Sequence, residues 1–371
     1  MQMTFCAPCL FGLEGICAND LKFNSFKNVR AENGRVLFDG DYSDMIRANL
    51  LSRYAERVQI LLSEFTAYSF DELFKNVNII PWENYISVTD AFPVKGSSLS
   101  SKLFSVSDCQ KIIKKAIVQR LSSKYKQSWF DESSAVHQIQ FLIRNDKVSI
   151  LLDTTGQGLY KRGYRAESND APIKETLAAA IVDLARVRPN HFVVDPMCGS
   201  GTLVIEAAMK ALKIAPGLKR SFSFETWSQV DVSLVKAERQ KARELENRDC
   251  DFTAIGYDID EKALEISRNN ARKAGVDDRI KFIKRDIRDF GFDNEFETVV
   301  TNPPYGERLL DIDEAEKLYR IMGERFIREK GKSYTIICPD DDFERVFGRK
   351  ADKRRKLYNG MLNCQVYMYF K

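Results

Sequence analysis

From Thr176 onward the chain alternates short apolar runs with amphipathic stretches. The runs read as strands at His191–Asp195 (HFVVD), Thr253–Asp258 (TAIGYD), Ile280–Asp286 (IKFIKRD), Glu297–Asn302 (ETVVTN) and Ser333–Cys338 (SYTIIC). Helical spacing falls between them, in TLVIEAAMKALK, DEKALEISRNNARKAG and AEKLYRIMGERFIREKG. The second of these stops at Gly275, where a left-handed residue closes a helix. The tail LNCQVYMYF reads as a last strand, paired at long range. Strand and helix in regular alternation predict βαβ units and a doubly wound, mostly parallel sheet over about 171–371. The charged stretch VDVSLVKAERQKARELENRD reads as an extra solvated helix. Before Tyr160 the pattern is different: apolar runs such as VSILLDTT alternate with amphipathic segments such as SDCQKIIKKAIVQRLSSKYKQ, an α+β pattern.

A length of 371 residues is long for one core and suggests two or three domains. With 44% hydrophobic and 30% charged residues the composition is that of a soluble globular protein. No stretch approaches the ~18–20 apolar residues of a membrane helix. The start, MQMTFCAPCLFGLEGICAND, has no cationic region and carries Glu14, so it does not read as a signal peptide. Of the eight cysteines only Cys6 and Cys9 form a C-x-x-C, and the chain has just two histidines, His137 and His191. A zinc site normally needs four such ligands, so no metal is expected and the thiols read as buried and reduced in a cytoplasmic protein. A net charge of +4 leaves any nucleic-acid affinity to local patches.

The first chemical signal is VVDPMCGSGT, Val193 to Thr202. It ends a strand in a glycine-rich turn and opens a helix. Gly199 and Gly201 let the backbone approach a ligand, and the helix start presents free N–H groups. A P-loop is excluded because no G-K-[ST] follows, and Val204 stands where a dinucleotide fingerprint has its third glycine. Asp195 at the strand tip repels a pyrophosphate and attracts an ammonium group, which favours S-adenosylmethionine (SAM) over NAD. Asp258 ends the next strand and suits ribose hydroxyls, although it lies further on than the usual ~20 residues. Asp286 ends the third strand and would accept from an adenine amine, with Ile287 packing on the ring. The C-terminal ends of parallel strands form one rim, where ligands bind.

The second signal is TNPPYGER, Thr301 to Arg308, whose N-P-P-Y sits at the tip of the fourth strand on that rim. Pro303 and Pro304 lack an N–H, so carbonyl oxygens stand beside the Asn302 side chain. Two acceptors converging on one point suit an exocyclic amine: they hold its protons, aim its lone pair and stabilise the positive charge that develops on nitrogen. Tyr305 offers a face for a base rotated out of its helix.

With these motifs in place the chain resembles the amino-methyltransferases, whose motif is (N/D)-P-P-(Y/F/W). More narrowly, it resembles the THUMP-domain class I RNA guanine-N2 methyltransferases, such as the N-terminal half of the 23S rRNA enzyme RlmL, relatives often labelled N6-adenine-specific DNA methylases. The resemblance spans nearly the whole chain. It is carried by FGLEGICANDLK, FPVKGSSLSSKLFSVSDCQKIIKKAI, DTTGQGLYKRGYR, APIKETLAAA, DPMCGSGTLVIEAA, APGLKR, TNPPYGER and GRKADKRRKLYNG. One departure is Tyr160, where family members usually have histidine. The resemblance implies a ferredoxin-like segment (1–50), a THUMP RNA-binding domain (51–160) and a Rossmann-like methyltransferase domain with a doubly wound, mostly parallel seven-stranded sheet (161–371). It implies SAM as cofactor and RNA as partner, with a monomer or weak dimer expected. It places Asp195, Pro196, Cys198, Gly199, Gly201, Thr202, Asp258, Ile259, Asp286, Ile287, Asn302 and Thr176 at the cofactor, and Asn302 to Tyr305 at the target amine. Thr176 would cap a helix entering the pocket, with Lys174 or Glu175 lining it.

Three basic tracts are candidate RNA surfaces. The first holds Lys95, Lys102, Lys111, Lys114 and Lys115 among small residues, the second Lys161, Arg162 and Arg165, and the third runs from Arg345 to Lys356 with Lys353, Arg354 and Arg355. The leading expectation is methylation of a guanosine N2 amine, most naturally in 23S rRNA, with tRNA as the other RNA. Competing readings are adenine-N6 methylation of DNA or RNA, an RNA-binding factor that holds SAM without turnover, and a nicotinamide dehydrogenase, which Asp195 and N-P-P-Y disfavour.

Overall fold

Two seven-stranded sheets organise the chain. The computed structural model describes residues 2–165, 173–292, 294–305 and 312–370. The first sheet is built from β1 (Met3–Pro8), β2 (Lys27–Glu32), β3 (Arg35–Gly40), β4 (Gln59–Thr66), β5 (Val94–Leu99), β6 (Ile139–Arg144) and β7 (Lys147–Asp153). Its order is β2-β3-β1-β4-β7-β6-β5. β4 pairs antiparallel with both β1 and β7, so one sheet runs through both N-terminal portions of the chain. Only β5 and β6 pair in parallel. Four helices cover this sheet: α1 (Glu14–Phe23), α2 (Tyr42–Leu51), α3 (Phe70–Asn78) and α4 (Val106–Tyr125). Their starts are set locally. Asp41 forms a capping box with Asp44, and Ser69 and Ser105 accept from Glu72 N and Asp108 N.

The second half contains α5 (Glu175–Leu184), β8 (Phe192–Asp195), α6 (Thr202–Ala211), α7 (Val232–Glu244), β9 (Thr253–Asp258), α8 (Glu261–Ala274) and β10 (Ile280–Lys284). It continues through β11 (Glu297–Thr301), α9 (Ile312–Arg325), β12 (Lys332–Cys338), α10 (Phe343–Phe347), β13 (Lys353–Asn359) and β14 (Leu362–Tyr369). The sheet order is β10-β9-β8-β11-β12-β14-β13. The strands are parallel except β14, which runs against both β12 and β13. β11 is buried along its whole length, as expected of a central strand covered by helices on both faces. The order reverses between β8 and β11, which pair directly, Thr298 with Val193 and Val299 with Val194. That reversal opens a crevice at the strand C-termini.

The expected doubly wound domain behind an α+β region is therefore present, with local differences. β10 stops at Lys284, and Asp286 caps a single helical turn, Ile287–Asp289, rather than ending the strand. The helix from VDVSLVKAERQKARELENRD is not simply solvated: Glu238 on α7 is buried and accepts from Ser43 of α2 at 2.8 Å. The edge strand β13 begins inside the basic tract Arg345–Lys356 and runs on to Asn359.

Polar contacts stitch the halves together. Arg53 donates to Met209 O and Ile214 O, Gly217 N to Leu50 O, and Arg355 to Gly12 O. His137 stacks on Trp227 at 4.6 Å between ring centroids, and Trp227 Nε1 donates to Val136 O.

Candidate active site

A cavity of about 640 Å³ opens at the crevice between β8 and β11. This is within the range of pockets that hold a nucleoside-sized ligand. Asp195, ending β8, and Asn302, following β11, both line it. Asp258 and Ile259 at the end of β9 line it too, as do Asp286 and Ile287 in the turn after β10. Three strand tips and the N-P-P-Y turn thus meet at one site.

The glycine-rich turn is shaped by Asp258, whose carboxylate accepts from Gly199 N at 2.8 Å and from Asp260 N at 3.0 Å. Cys198 N donates to Tyr257 O, and Gly199 O accepts from Ser267 Oγ. Gly199 and Gly201 both have positive φ, 53° and 77°, which favours glycine. Pro196, Cys198, Gly199 and Thr202 line the cavity. Gly201 does not. It caps α6, and a Cβ there would stand 3.1 Å from Phe282 and Ser267, so it serves close packing rather than ligand contact. Asp260, not Asp258, caps α8.

Asp195 is buried beneath this turn, and one carboxylate oxygen accepts from Met197 N at 3.2 Å. Burial pushes its pKa up to about 7, the Met197 hydrogen bond offsetting this in part and the nearby Asp258 adding to it. A buried carboxyl without a countercharge suits a ligand ammonium group.

Asn302 Oδ1 is buried and has no hydrogen-bond partner among the described residues. An orphaned acceptor is costly, and Asn302 itself lines the cavity. Pro303, Pro304 and Tyr305 also line it. The Tyr305 ring is held in place by its hydroxyl, which accepts from Asn359 Nδ2 at 2.8 Å. Gly306 to Arg308 of TNPPYGER, and Ala171 and Pro172 of APIKETLAAA, lie outside the described residues.

Thr176 is not at the cavity. Lys174 is the N-cap of α5, and Thr176 sits inside the first turn, its hydroxyl donating to Glu56 Oε1 at 2.6 Å. Lys174 pairs with Glu56 at 3.2 Å, and Glu175 is buried beside Arg165. Ile173 is the residue of this segment that reaches the cavity.

The basic residues divide. Lys95 and Lys111 are exposed, Lys102 lies over the Tyr68 ring, and Lys115 is exposed near Phe74. Lys114 is already committed, donating to Phe92 O and to Glu132 at 2.5 Å. Lys161 is exposed, whereas Arg162 is buried. The Arg162 guanidinium donates to Leu159 O and Arg53 O and faces Glu206 at 3.5 Å, which removes it from any RNA surface. Arg165 is likewise turned inward, donating to Ile173 O and to Thr202 Oγ1 at 2.7 Å. On the edge strand β13, Lys353 is exposed, Arg354 faces Glu344 at 3.4 Å, and Arg355 is spent on Gly12 O. Asn359 lies within GRKADKRRKLYNG but was given no role there, and α9, which contributes Glu314, Lys317, Leu318 and Ile321 to the cavity wall, carried no site motif in the sequence.

Comparison with known proteins agrees with this geometry. Residues 162–368 match the RMKL-like methyltransferase domain, residues 4–59 the RlmL ferredoxin-like domain and residues 67–153 the THUMP domain. YpsC of Bacillus subtilis (strain 168), provisionally named an RNA methyltransferase, is 40% identical over 100% of this chain and 96% of its own. The ribosomal RNA large subunit methyltransferase K/L of Psychromonas ingrahamii is 34% identical over 99% of this chain, which spans only 50% of that relative. The solved structure of SMU.472, provisionally named a methyltransferase and complexed with SAH, superposes with a TM-score of 0.93 at 41% identity, covering 100% of this chain and 98% of that one. With a ferredoxin-like segment, a THUMP domain and an N-P-P-Y crevice in one chain, the protein belongs to the RlmL-type, RMKL-like methyltransferase family.

Proposed function

We propose that the protein is a SAM-dependent RNA methyltransferase that methylates the exocyclic N2 amine of a guanosine, in 23S rRNA by preference. The observation that carries this reading is the buried, unpartnered Asn302 Oδ1 in the same cavity as Asp195. Asp195 would hold the ammonium group of SAM, Asp258 its ribose hydroxyls and Ile287 its adenine. Asp286 is already engaged by Arg288 at 2.6 Å, so it would share its carboxylate with an adenine amine. When bound, SAM supplies an electrophilic methyl group. Asn302 Oδ1 and the adjoining proline carbonyls accept the two amine hydrogens, which directs the nitrogen lone pair into the cavity and stabilises the charge that grows on nitrogen. No strong base is needed, since the amine loses its proton after transfer. The pinned Tyr305 ring supports the flipped base.

The reading keeps the division into a ferredoxin-like segment, a THUMP RNA-binding domain and a methyltransferase domain, near residues 1–50, 51–160 and 161–371. The RNA substrate is supported by the THUMP match and by the names of the relatives. Among the described residues no helix is long and apolar enough to cross a membrane. The test is labelled methyl transfer to total RNA from a strain lacking the protein, followed by nucleoside analysis. N2-methylguanosine is the expected product, and N6-methyladenosine as sole product would refute the assignment.

A further inference from the structure

We propose that the cavity-facing stripe of α9 is the subsite for the target nucleotide, with Lys317 binding its backbone phosphate and Leu318 and Ile321 forming an apolar wall for the nucleoside. The inference deepens the proposed function and rests on it.

Glu314, Lys317, Leu318 and Ile321 all line the cavity, and their spacing of i, i+3, i+4 and i+7 puts them on one face of α9. In the chain α9 follows Asn302 to Tyr305, and in the fold it packs against the turn Ile287–Asp289 on the wall of the cavity away from the glycine-rich turn. The strand-tip side of the cavity carries four carboxylates, Asp195, Asp258, Asp260 and Asp286, against the single Glu314 on α9, and repels a polyanion. The nucleic acid backbone has to enter elsewhere. Two cations line the cavity among the described residues, Arg288 and Lys317. The Arg288 guanidinium is spent on Asp286, at 3.0 and 2.6 Å. Lys317 is exposed and has no hydrogen bond or ion pair among the described residues. A base whose amine reaches Asn302 leaves its sugar and phosphate at the mouth, where an exposed ammonium on the wall meets them. Leu318 and Ile321, both half-buried, are less solvated than Lys317 and suit the uncharged nucleoside.

The experiment compares wild type with Lys317→Ala and Lys317→Arg, using RNA from a strain lacking the protein. RNA binding is measured by filter retention from 50 to 200 mM salt, alongside KM, kcat and SAM affinity. Lys317→Ala is expected to weaken RNA binding and raise KM for RNA about five- to tenfold, and to reduce the salt slope by about 1. It should leave kcat and SAM affinity unchanged, and Lys317→Arg should restore binding. Unchanged RNA binding and slope in Lys317→Ala would overturn the assignment, as would a loss of SAM affinity, which would put the ammonium at the cofactor. Failure of wild type to methylate RNA would instead refute the proposed function, and the binding measurements would still judge Lys317.

Discussion

If Asp195 holds the SAM ammonium group as proposed, its raised pKa makes the affinity for SAM a function of pH. In the folded protein without a bound cation the carboxyl titrates at about 7, against an ordinary value of 3.8. Only the ionised form attracts the SAM ammonium group, so observed affinity scales with the ionised fraction. That fraction is near its plateau at pH 8, falls about tenfold by pH 6 and about 30-fold by pH 5.5, at about 1.4 kcal/mol per pH unit. The same shift has a stability consequence of opposite sense. Between pH 3.8 and about 7 the unfolded chain ionises this group and the folded protein does not. Folding stability therefore falls as pH rises through that window, by up to about 4 kcal/mol. The burial that readies Asp195 for a cation destabilises the free protein.

Asp195→Asn separates the two effects. Asparagine can still accept from Met197 N but carries no charge. The variant should bind SAM weakly with a flat pH profile, and it should be more resistant to urea than wild type at pH 8. Titration calorimetry with SAM from pH 5.5 to 8.5, with urea unfolding at pH 4 and pH 8, reads both. Wild-type affinity that stays level from pH 6 to 8, or an Asp195→Asn variant no more stable than wild type at pH 8, would refute the reasoning.

Other perturbations separate the roles around the cavity. Asn302→Ala should lower single-turnover methyl transfer by about 10²–10³ with SAM affinity unchanged by calorimetry, whereas Asp258→Ala should weaken SAM binding because the glycine-rich turn loses the acceptor for Gly199 N–H. Arg162→Ala leaves Glu206 buried without its cation and should cost about 3–5 kcal/mol in urea unfolding; normal stability with weaker RNA binding would restore Arg162 to the RNA surface. Changing Lys111 and Lys115 together to Ala should weaken RNA binding and lower its salt slope by up to about 2, with SAM affinity unaffected.

Much of the site was legible because parallel strands place their C-terminal ends on one rim, so acids and an N-P-P-Y at successive strand ends had to converge. What was not legible depended on which way a side chain turned. In Lys161–Gly163 and Tyr164 exposure alternates, with Arg162 and Tyr164 inward and Lys161 and Gly163 outward. A run of basic residues announces charge and conceals this two-residue period. β13 was hidden for a similar reason: its Lys and Arg residues decorate the sheet edge, where charge discourages pairing with another chain. They read as a binding patch rather than as a strand. Thr176 missed because Lys174 takes the cap one residue before the helix and leaves the hydroxyl to face Glu56. The α9 stripe has a readable helical period, but nothing in it says that its face turns toward the cavity.

The inward-turned arginines give the linker between the halves a mechanical role. Arg162 binds carbonyls of Arg53 and Leu159 in the first half and faces Glu206 on α6 in the second. Arg165 reaches Thr202, the first residue of that same helix and one of the residues lining the cavity. Glu56 takes both Lys174 and Thr176 at the start of α5. The first half is thus fastened to the two helices flanking β8, next to the crevice rather than at its far edge. With His137 stacked on Trp227 and Arg355 bound to Gly12, the fastening is spread across the interface, and a hinge would have to break several buried contacts together. If RNA is held by the exposed lysines of the first half, as proposed, it would be presented to the cavity at a fixed distance and angle. In the proposed reading the Asn302 acceptor would take an exocyclic amine from many nucleotides, so the choice among them would have to come from that fixed geometry.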